Sequence, residues 1–190
     1  MLFRSVSVYI VPMTAVDPMH PFTTQITEGN GGTQPVSFLV KLAAASGKTI
    51  TVSWATSPGT AVPTVFSGSS DPVDYVTTPN DSTPEDMVTL VFEPGASLSQ
   101  TITVLVNGDT TVEGFVNPDN AAQMIEQFFV NILSADNADI AAHPALTQSN
   151  HNTVNIVDDD LITSDAGPWS IYFSSTTYTV QEPTSGDDYA

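Results

Sequence analysis

Three carboxylates in a row close the stretch NTVNIVDDD, where Asp158, Asp159 and Asp160 follow directly on an alternating strand pattern. Adjacent carboxylates repel one another, and Asp is a poor strand former. Such a run calls for a counter-charge, and the chain supplies almost none. Asp and Glu number 21 while Lys and Arg number 3 (Arg4, Lys41, Lys48), so the net charge of -18 comes from missing bases and not from an acidic tail. A polyanion such as DNA or RNA would be repelled. Metal cations or dissolved salt remain as the counter-charge. Clustered carboxylate oxygens are the donors that a hard cation such as calcium takes.

Other chemistry finds little support. There is no cysteine, which excludes disulfides and thiolate zinc sites. His20, His143 and His151 stand in Pro- or Asn-rich loops and read as solvated. No Gly-x-Ser-x-Gly elbow is present, and EGNGG lacks the strand-to-helix setting of a phosphate loop. Paired carboxylates could serve a glycosidase, but a small sandwich tip offers no substrate cleft. The chain reads as a non-enzyme.

The elements that would position the carboxylates are strands. VSFLVKL (Val36–Leu42), KTITVSWAT (Lys48–Thr56), MVTLVFE (Met87–Glu93), QTITVLV (Gln100–Val106), QFFVNIL (Gln127–Leu133) and NTVNIVD (Asn152–Asp158) alternate or run apolar and are rich in Val, Ile, Thr and Phe. EGNGGT and EPGAS read as turns. The opening MLFRSVSVYIVP reads as a strand, not a signal peptide; export would then rest on sequence outside this chain, which reads as a fragment of something longer. One stretch, DNAAQMIEQ (Asp119–Gln127), is helix-like. Short strands without long helices predict an all-β, antiparallel sandwich of about seven strands with long loop insertions. Trp54 and Phe92 are expected in its core. Phe128 and Phe129 are adjacent, so one should face the core and the other an edge or insertion.

The chain also echoes itself. SVYI (Ser7–Ile10) and TQITEGN (Thr24–Asn30) near the start match SIYF (Ser170–Phe173) and YTVQEPTSGD (Tyr178–Asp187) near the end. Repetition at domain length implies a tandem array. The expected division is a sandwich over 1–160, a linker over 161–169, and the first strands of an incomplete second repeat over 170–190. Trp169, at the repeat junction, would serve either core packing or contact between neighbouring repeats.

Taken in order, ITEGN, ITVSWATSPGTA, Asp74-Tyr75, LVFEPGASLSQTITVLVNGDTTVE, EQFFVNILS and VNIVDDD resemble a Calx-beta domain, the repeat of sodium–calcium exchanger regulatory regions and large bacterial surface proteins. The resemblance spans roughly residues 24–160. It implies an immunoglobulin-like sandwich with calcium at one tip, with Glu28, Asp74, Asp109, Glu113, Glu126, Asp158, Asp159 and Asp160 as metal ligands. This chain departs from the family pattern where calcium-rich members carry extra acids, having Gly108 beside Asp109 and Ile125 beside Glu126. Its stretch from Gly114 to Ile125 is also long for the family, which works against Glu113 meeting Glu126. One or two ions are expected, not a dense cluster.

These features imply a calcium-binding structural repeat of a large extracellular adhesin or matrix protein on a bacterial surface. Its partners would be neighbouring repeats or identical protomers, and cell-surface or matrix ligands, with no nucleic acid and no membrane insertion within this chain. The alternative is a filament subunit whose terminal strands add to a neighbouring protomer.

Overall fold

The computed structural model describes residues 6–13, 16–17, 20–64, 72–76, 88–117, 120–140 and 150–160. Every regular element among them is a strand: β1 (Val6–Pro12), β2 (Val16–Asp17), β3 (His20–Thr27), β4 (Thr33–Leu42), β5 (Ile50–Pro58), β6 (Val88–Phe92), β7 (Ser99–Asn107), β8 (Phe115–Asn117), β9 (Asn120–Asp136), β10 (Ala138–Ile140) and β11 (His151–Asp158). One sheet has the order β10-β1-β4-β7; the other runs β2-β3-β11-β9-β5-β6, with β8 on the same side of β9 as β5. The immunoglobulin-like sandwich is therefore present with all six expected strands. Among the described residues it differs from expectation in having eleven strands and one parallel pair in each sheet, β1 with β10 and β3 with β11. The linker and second repeat assigned to 161–190, Trp169 included, lie outside the described residues, as do His143 and the side chain of His20.

Alternation builds the core. Val36, Phe38, Val40 and Leu42 of β4 and Ile102, Val104 and Val106 of β7 face Ile50, Val52 and Trp54 of β5, Phe128, Val130 and Ile132 of β9, and Val154 and Ile156 of β11. Each such side chain contributes about 1.5–3 kcal/mol when fully buried. Trp54 and Phe92 are in this core as expected. Phe128 is fully buried and stacks on Tyr75 with ring centroids 4.2 Å apart and planes 11° from parallel. Its neighbour Phe129 turns to the other face, where its ring edge lies against Gly59.

The helix expected over Asp119–Gln127 is not there; from Asn120 onward the chain is strand. Tertiary pairing overrides local propensity. Residues 124–131 pair with β11 from Asp158 to His151, while 120–125 fold back on β8. β9 thus runs the length of its sheet, and one residue, Asn137, carries the chain from it into β10 of the other sheet. Asn137 has φ 60°, and its side-chain amide donates to the Thr49 carbonyl at 2.9 Å. Asn tolerates this left-handed conformation far better than other non-glycine residues. Asn137→Ala is expected to cost about 1–2 kcal/mol, and Asn137→Gly much less, as read by denaturant unfolding.

The registers define two poles. β1, β3, β5, β7 and β11 run toward one end, the tip, where the β3–β4 turn, the end of β7 and the end of β11 meet. Lys41, near the end of β4, and Lys48, ahead of β5, lie at the other pole, the base.

Candidate metal centre at the tip

The alternating stripes that face the core end, at the tip, in carboxylates. On β3 the sequence of inward positions is Thr24, Ile26, then Glu28; on β9, read toward the tip, it is Val130, Phe128, then Glu126; on β11 it is Val154, Ile156, then Asp158. The period-two geometry of a strand aims these side chains into the mouth of the sandwich. Glu28 is only 2% exposed, and Asp74, carried in by the segment after β5, is 1% exposed. Asp74 is held by its backbone: its N–H donates to the Val62 carbonyl at 2.9 Å, its carbonyl accepts from the Asn107 N–H at 2.8 Å, and its Oδ2 accepts from the Val62 N–H.

Two triads result. Glu28, Asp158 and Asp160 bring one carboxylate oxygen each to within 4.8 Å of one another, and Asp74, Glu113 and Glu126 do the same. The long stretch between Glu113 and Glu126 does not keep them apart, contrary to expectation. The β8–β9 hairpin folds the extra length back on itself and returns Ile125 to a register opposite Phe115. Asp158 also ties the triads together, since its Oδ2 accepts from the Glu113 N–H at 2.8 Å while its Oδ1 accepts from the Asp160 N–H at 2.7 Å.

Asp109 and Asp159 belong to neither triad. Asp159 is exposed and turns toward the β3–β4 turn, accepting from the Gly29 N–H at 2.9 Å. Asp109 accepts from the Thr111 N–H at 2.6 Å and adds negative charge near Glu28 and Glu113. Asp160 Oδ1 accepts from the Asn30 side-chain amide at 2.8 Å, so the triplet clamps the turn from two sides. The run of three is therefore divided between two members of a triad and an outward brace.

The electrostatics are one-sided. Burial pushes the Glu28 carboxyl from 4.5 up to about 8, and the charges of Glu113, Asp158, Asp109 and Asp74 act in the same direction. Burial likewise lifts Glu113 to about 8, helped by Asp74. Glu126 rises to about 9, through burial first and then a hydrogen bond and charge repulsion with Asp74. Desolvation and like charge disfavour ionised carboxylates in this way wherever no cation stands by, and the two described lysines are at the other pole. Four acceptor oxygens, Glu28 Oε1, Asp74 Oδ1, Glu113 Oε1 and Asp160 Oδ2, are buried without a hydrogen-bond donor. The donor set is all carboxylate, which fits a hard, oxygen-seeking cation and not zinc or copper.

The positions where the family pattern carries further acids are committed to packing. Ile125 is 1% exposed. A Cβ on Gly108 would lie 2.1 Å from the Gly29 carbonyl oxygen and 2.5 Å from that of Glu28. Gly114, at φ +88°, passes closely over the Ile125 carbonyl, where an added Cβ would lie 2.7 Å from its oxygen, and so sets Glu113 beside Glu126. Neither glycine stood out in the sequence as part of the site. Their only signal is adjacency to Asp109 and Glu113.

Solved structures similar to this chain include the apo-form Calx CBD1 domain, at 20% identity and TM-score 0.49, covering 83% of this chain and 100% of that one. CBD12 from CALX1.2 follows at 21% identity and TM-score 0.49, covering 81% of this chain and 46% of that one. The calcium binding domain CBD12 of CALX1.1 is 21% identical with TM-score 0.48, over 80% of this chain and 46% of that one. These neighbours are Calx domains. They are of the kind that the ordered motifs resemble, and this chain spans just under half of each CBD12 chain. No protein-family model matches the sequence, and no curated protein does. The chemistry of the tip stands on its own residues.

Proposed function

We propose that this chain is a non-enzymatic, calcium-binding structural repeat of a large extracellular adhesin or matrix protein. The observation that carries the calcium reading is the pair of carboxylate triads with four buried oxygens that no donor satisfies. Glu28, Asp158 and Asp160 would hold one ion and Asp74, Glu113 and Glu126 a second. Calcium takes six to eight oxygens in tolerant geometry, so three carboxylates, some bidentate, with backbone carbonyls and water complete a shell. A bound ion would turn the repulsion among these groups into ligation and lock the β3–β4 turn to the end of β11. Because the triplet ends the sandwich, the same ion would stiffen the chain that leaves it. The base-poor, cysteine-free composition and the sequence echo at 170–187 support an exported tandem array.

Thermal unfolding across a calcium titration tests the proposal, with chelator and magnesium as controls. A native-state site stabilises by RT ln(1 + [L]/Kd), about 2.7 kcal/mol at a hundredfold excess over Kd. For a domain of this size each kcal/mol moves the midpoint by about 2–4 °C. The midpoint should rise with calcium and hardly with magnesium, and Asp158→Asn with Asp160→Asn should remove part of the rise. A midpoint indifferent to calcium would mean that the buried carboxylates of the tip are kept by sharing protons and not by an ion.

Calcium binding should also release protons. Glu28, Glu113 and Glu126 ionise well above neutrality in the ion-free protein, whereas ligands bind metal deprotonated. Titration calorimetry at pH 7 in buffers of different ionisation enthalpy should show net proton release, vanishing as the pH passes the raised values.

A further inference from the structure

The dipeptide Asn-Gly occurs twice in the chain, at 30–31 and at 107–108. The fold brings both copies to the tip, one in the β3–β4 turn and the other at the end of β7. A glycine after asparagine has no side chain to shield its nitrogen, and its backbone turns freely. That nitrogen can therefore reach the carbonyl carbon of the asparagine side chain.

The two copies stand in opposite surroundings. Asn107 is locked. Its N–H donates to the Asp74 carbonyl at 2.8 Å, and its side-chain amide donates to the Val73 carbonyl at 2.7 Å. The Gly108 nitrogen, which would have to attack, donates its N–H to the Gly32 carbonyl at 3.0 Å. The Glu28 and Gly29 carbonyls fill the space beside the same glycine. Asn30, by contrast, is exposed, as are Gly31 and Gly32 behind it. Its side-chain amide donates to Asp160 Oδ1 at 2.8 Å. That bond holds the nitrogen that would leave and does not cover the carbon that would be attacked.

We infer that Asn30 is a site of spontaneous covalent modification, where exchange of its amide for a carboxylate makes the brace between the β3–β4 turn and Asp160 depend on calcium. The Gly31 nitrogen bonds to the Asn30 Cγ as the Cγ–Nδ2 bond breaks. Ammonia leaves, taking the proton of the Gly31 N–H. Water then opens the five-membered imide at either carbonyl, giving aspartate or isoaspartate. One water enters and one ammonia departs, with no oxidant or reductant. Both products lack the Nδ2 donor and carry a negative charge in its place. Opposite Asp160, that charge repels where the amide had bonded. The Glu28, Asp158 and Asp160 triad also gains a fourth carboxylate at its edge. The dependence on calcium rests on the function proposed above: a hard cation gathers carboxylates, so the ion would rejoin the turn to the triplet. Before the exchange the turn is braced with or without an ion, and afterwards only with one.

The full chain, kept folded with chelator at mildly alkaline pH, tests the chemistry on its own. Trypsin cuts after Arg4 and Lys41 and releases a peptide whose single asparagine is Asn30, while a glutamate-specific protease isolates Asn107 between Glu85 and Glu113. With time the Asn30 peptide should gain the mass and charge of amide-to-acid exchange, part of it as isoaspartate, and the Asn107 peptide should not. In denaturant both should convert, since the fold and not the sequence protects Asn107. A folded chain whose Asn30 keeps its amide as long as Asn107 does overturns the inference. The consequence is read on Asn30→Asp by thermal unfolding. Without calcium its midpoint should lie below that of wild type, and calcium should raise it further than it raises wild type. Equal midpoints and equal calcium increments overturn the calcium-dependent brace, even where Asn30 converts. A wild type indifferent to calcium is a separate result. It removes the calcium reading and the dependent brace with it, while the peptides still show whether Asn30 is modified.

Discussion

Glu126→Gln is expected to stabilise the calcium-free protein at pH 7 and to weaken its response to calcium. The sign follows from where Glu126 ionises. In the folded chain it does so at about 9, against 4.5 for an ordinary Glu. The folded state therefore holds more protons than the unfolded state between those values. The associated stability is fully present below about pH 4.5 and is lost as pH rises through about 9. At pH 7 wild-type folding must place a proton on this carboxyl or tolerate its charge, and Gln removes that cost. One pH unit of displacement is worth about 1.4 kcal/mol. Because Glu126 shares its hydrogen bond with Asp74, a gain on the order of 2 kcal/mol is the reasonable expectation. That corresponds to a rise of about 4–8 °C in the midpoint. The variant should also lose stability less steeply between pH 5 and pH 9. With calcium the order reverses: Asp74 and Glu113 are left without their third carboxylate, and only the Glu28, Asp158 and Asp160 share of the increment remains. Equal calcium response and equal pH slope in both proteins would mean that Glu126 neither shares a proton nor binds the ion.

The second large effect concerns a residue without a side chain. Gly108→Ala should cost about 3 kcal/mol or more, by the same physics as overpacking a core, and should remove the Glu28, Asp158 and Asp160 share of the calcium response. The atoms that its Cβ would strike are backbone carbonyls of Glu28 and Gly29, which cannot rotate aside as a flexible side chain does. The β3–β4 turn would have to lift from the end of β7, breaking the 3.0 Å bond from the Gly108 N–H to the Gly32 carbonyl and moving Glu28 out of its triad. Gly47→Ala is the matched control. Nothing lies within 4 Å of the point its Cβ would occupy and its φ is not positive, so it should be neutral or stabilising by about 0.4–1 kcal/mol. A Gly108→Ala protein with wild-type unfolding and wild-type calcium response would show that the close approach of the turn to β7 plays no part in the site.

Much of this architecture is legible in the residues. Six strands announce themselves by alternation, and the carboxylates Glu28, Glu126 and Asp158 stand where the inward stripes of their strands run out. The helical reading of Asp119–Gln127 fails because Ala, Gln, Met and Glu favour a helix locally, while pairing on both edges of β9 outweighs that preference. The division of the acids into two triads depends on the parallel register of β3 with β11, which brings Glu28 beside Asp158 across 130 residues of chain. No local pattern encodes such a pairing. Asp159 illustrates the same point at short range: three identical residues in a row read alike, yet the pleat sends the middle one to Gly29 and not to the triad.

The parallel pairing of β3 and β11 also has a mechanical side. The described chain enters β1 at the base and leaves β11 at the tip, so a pull along the molecule loads the two ends in opposite directions. β3 and β11, hydrogen-bonded side by side in the same orientation from Thr23 opposite Thr153 to Thr27 opposite Val157, would slide past each other only if their bonds failed together. A hairpin pulled from its open end instead gives way one bond at a time. Resistance to force is set by the rate of unfolding and not by the equilibrium. An ion held between Glu28 and Asp158, at the end of that same pair, would act as a pin through the shear plane.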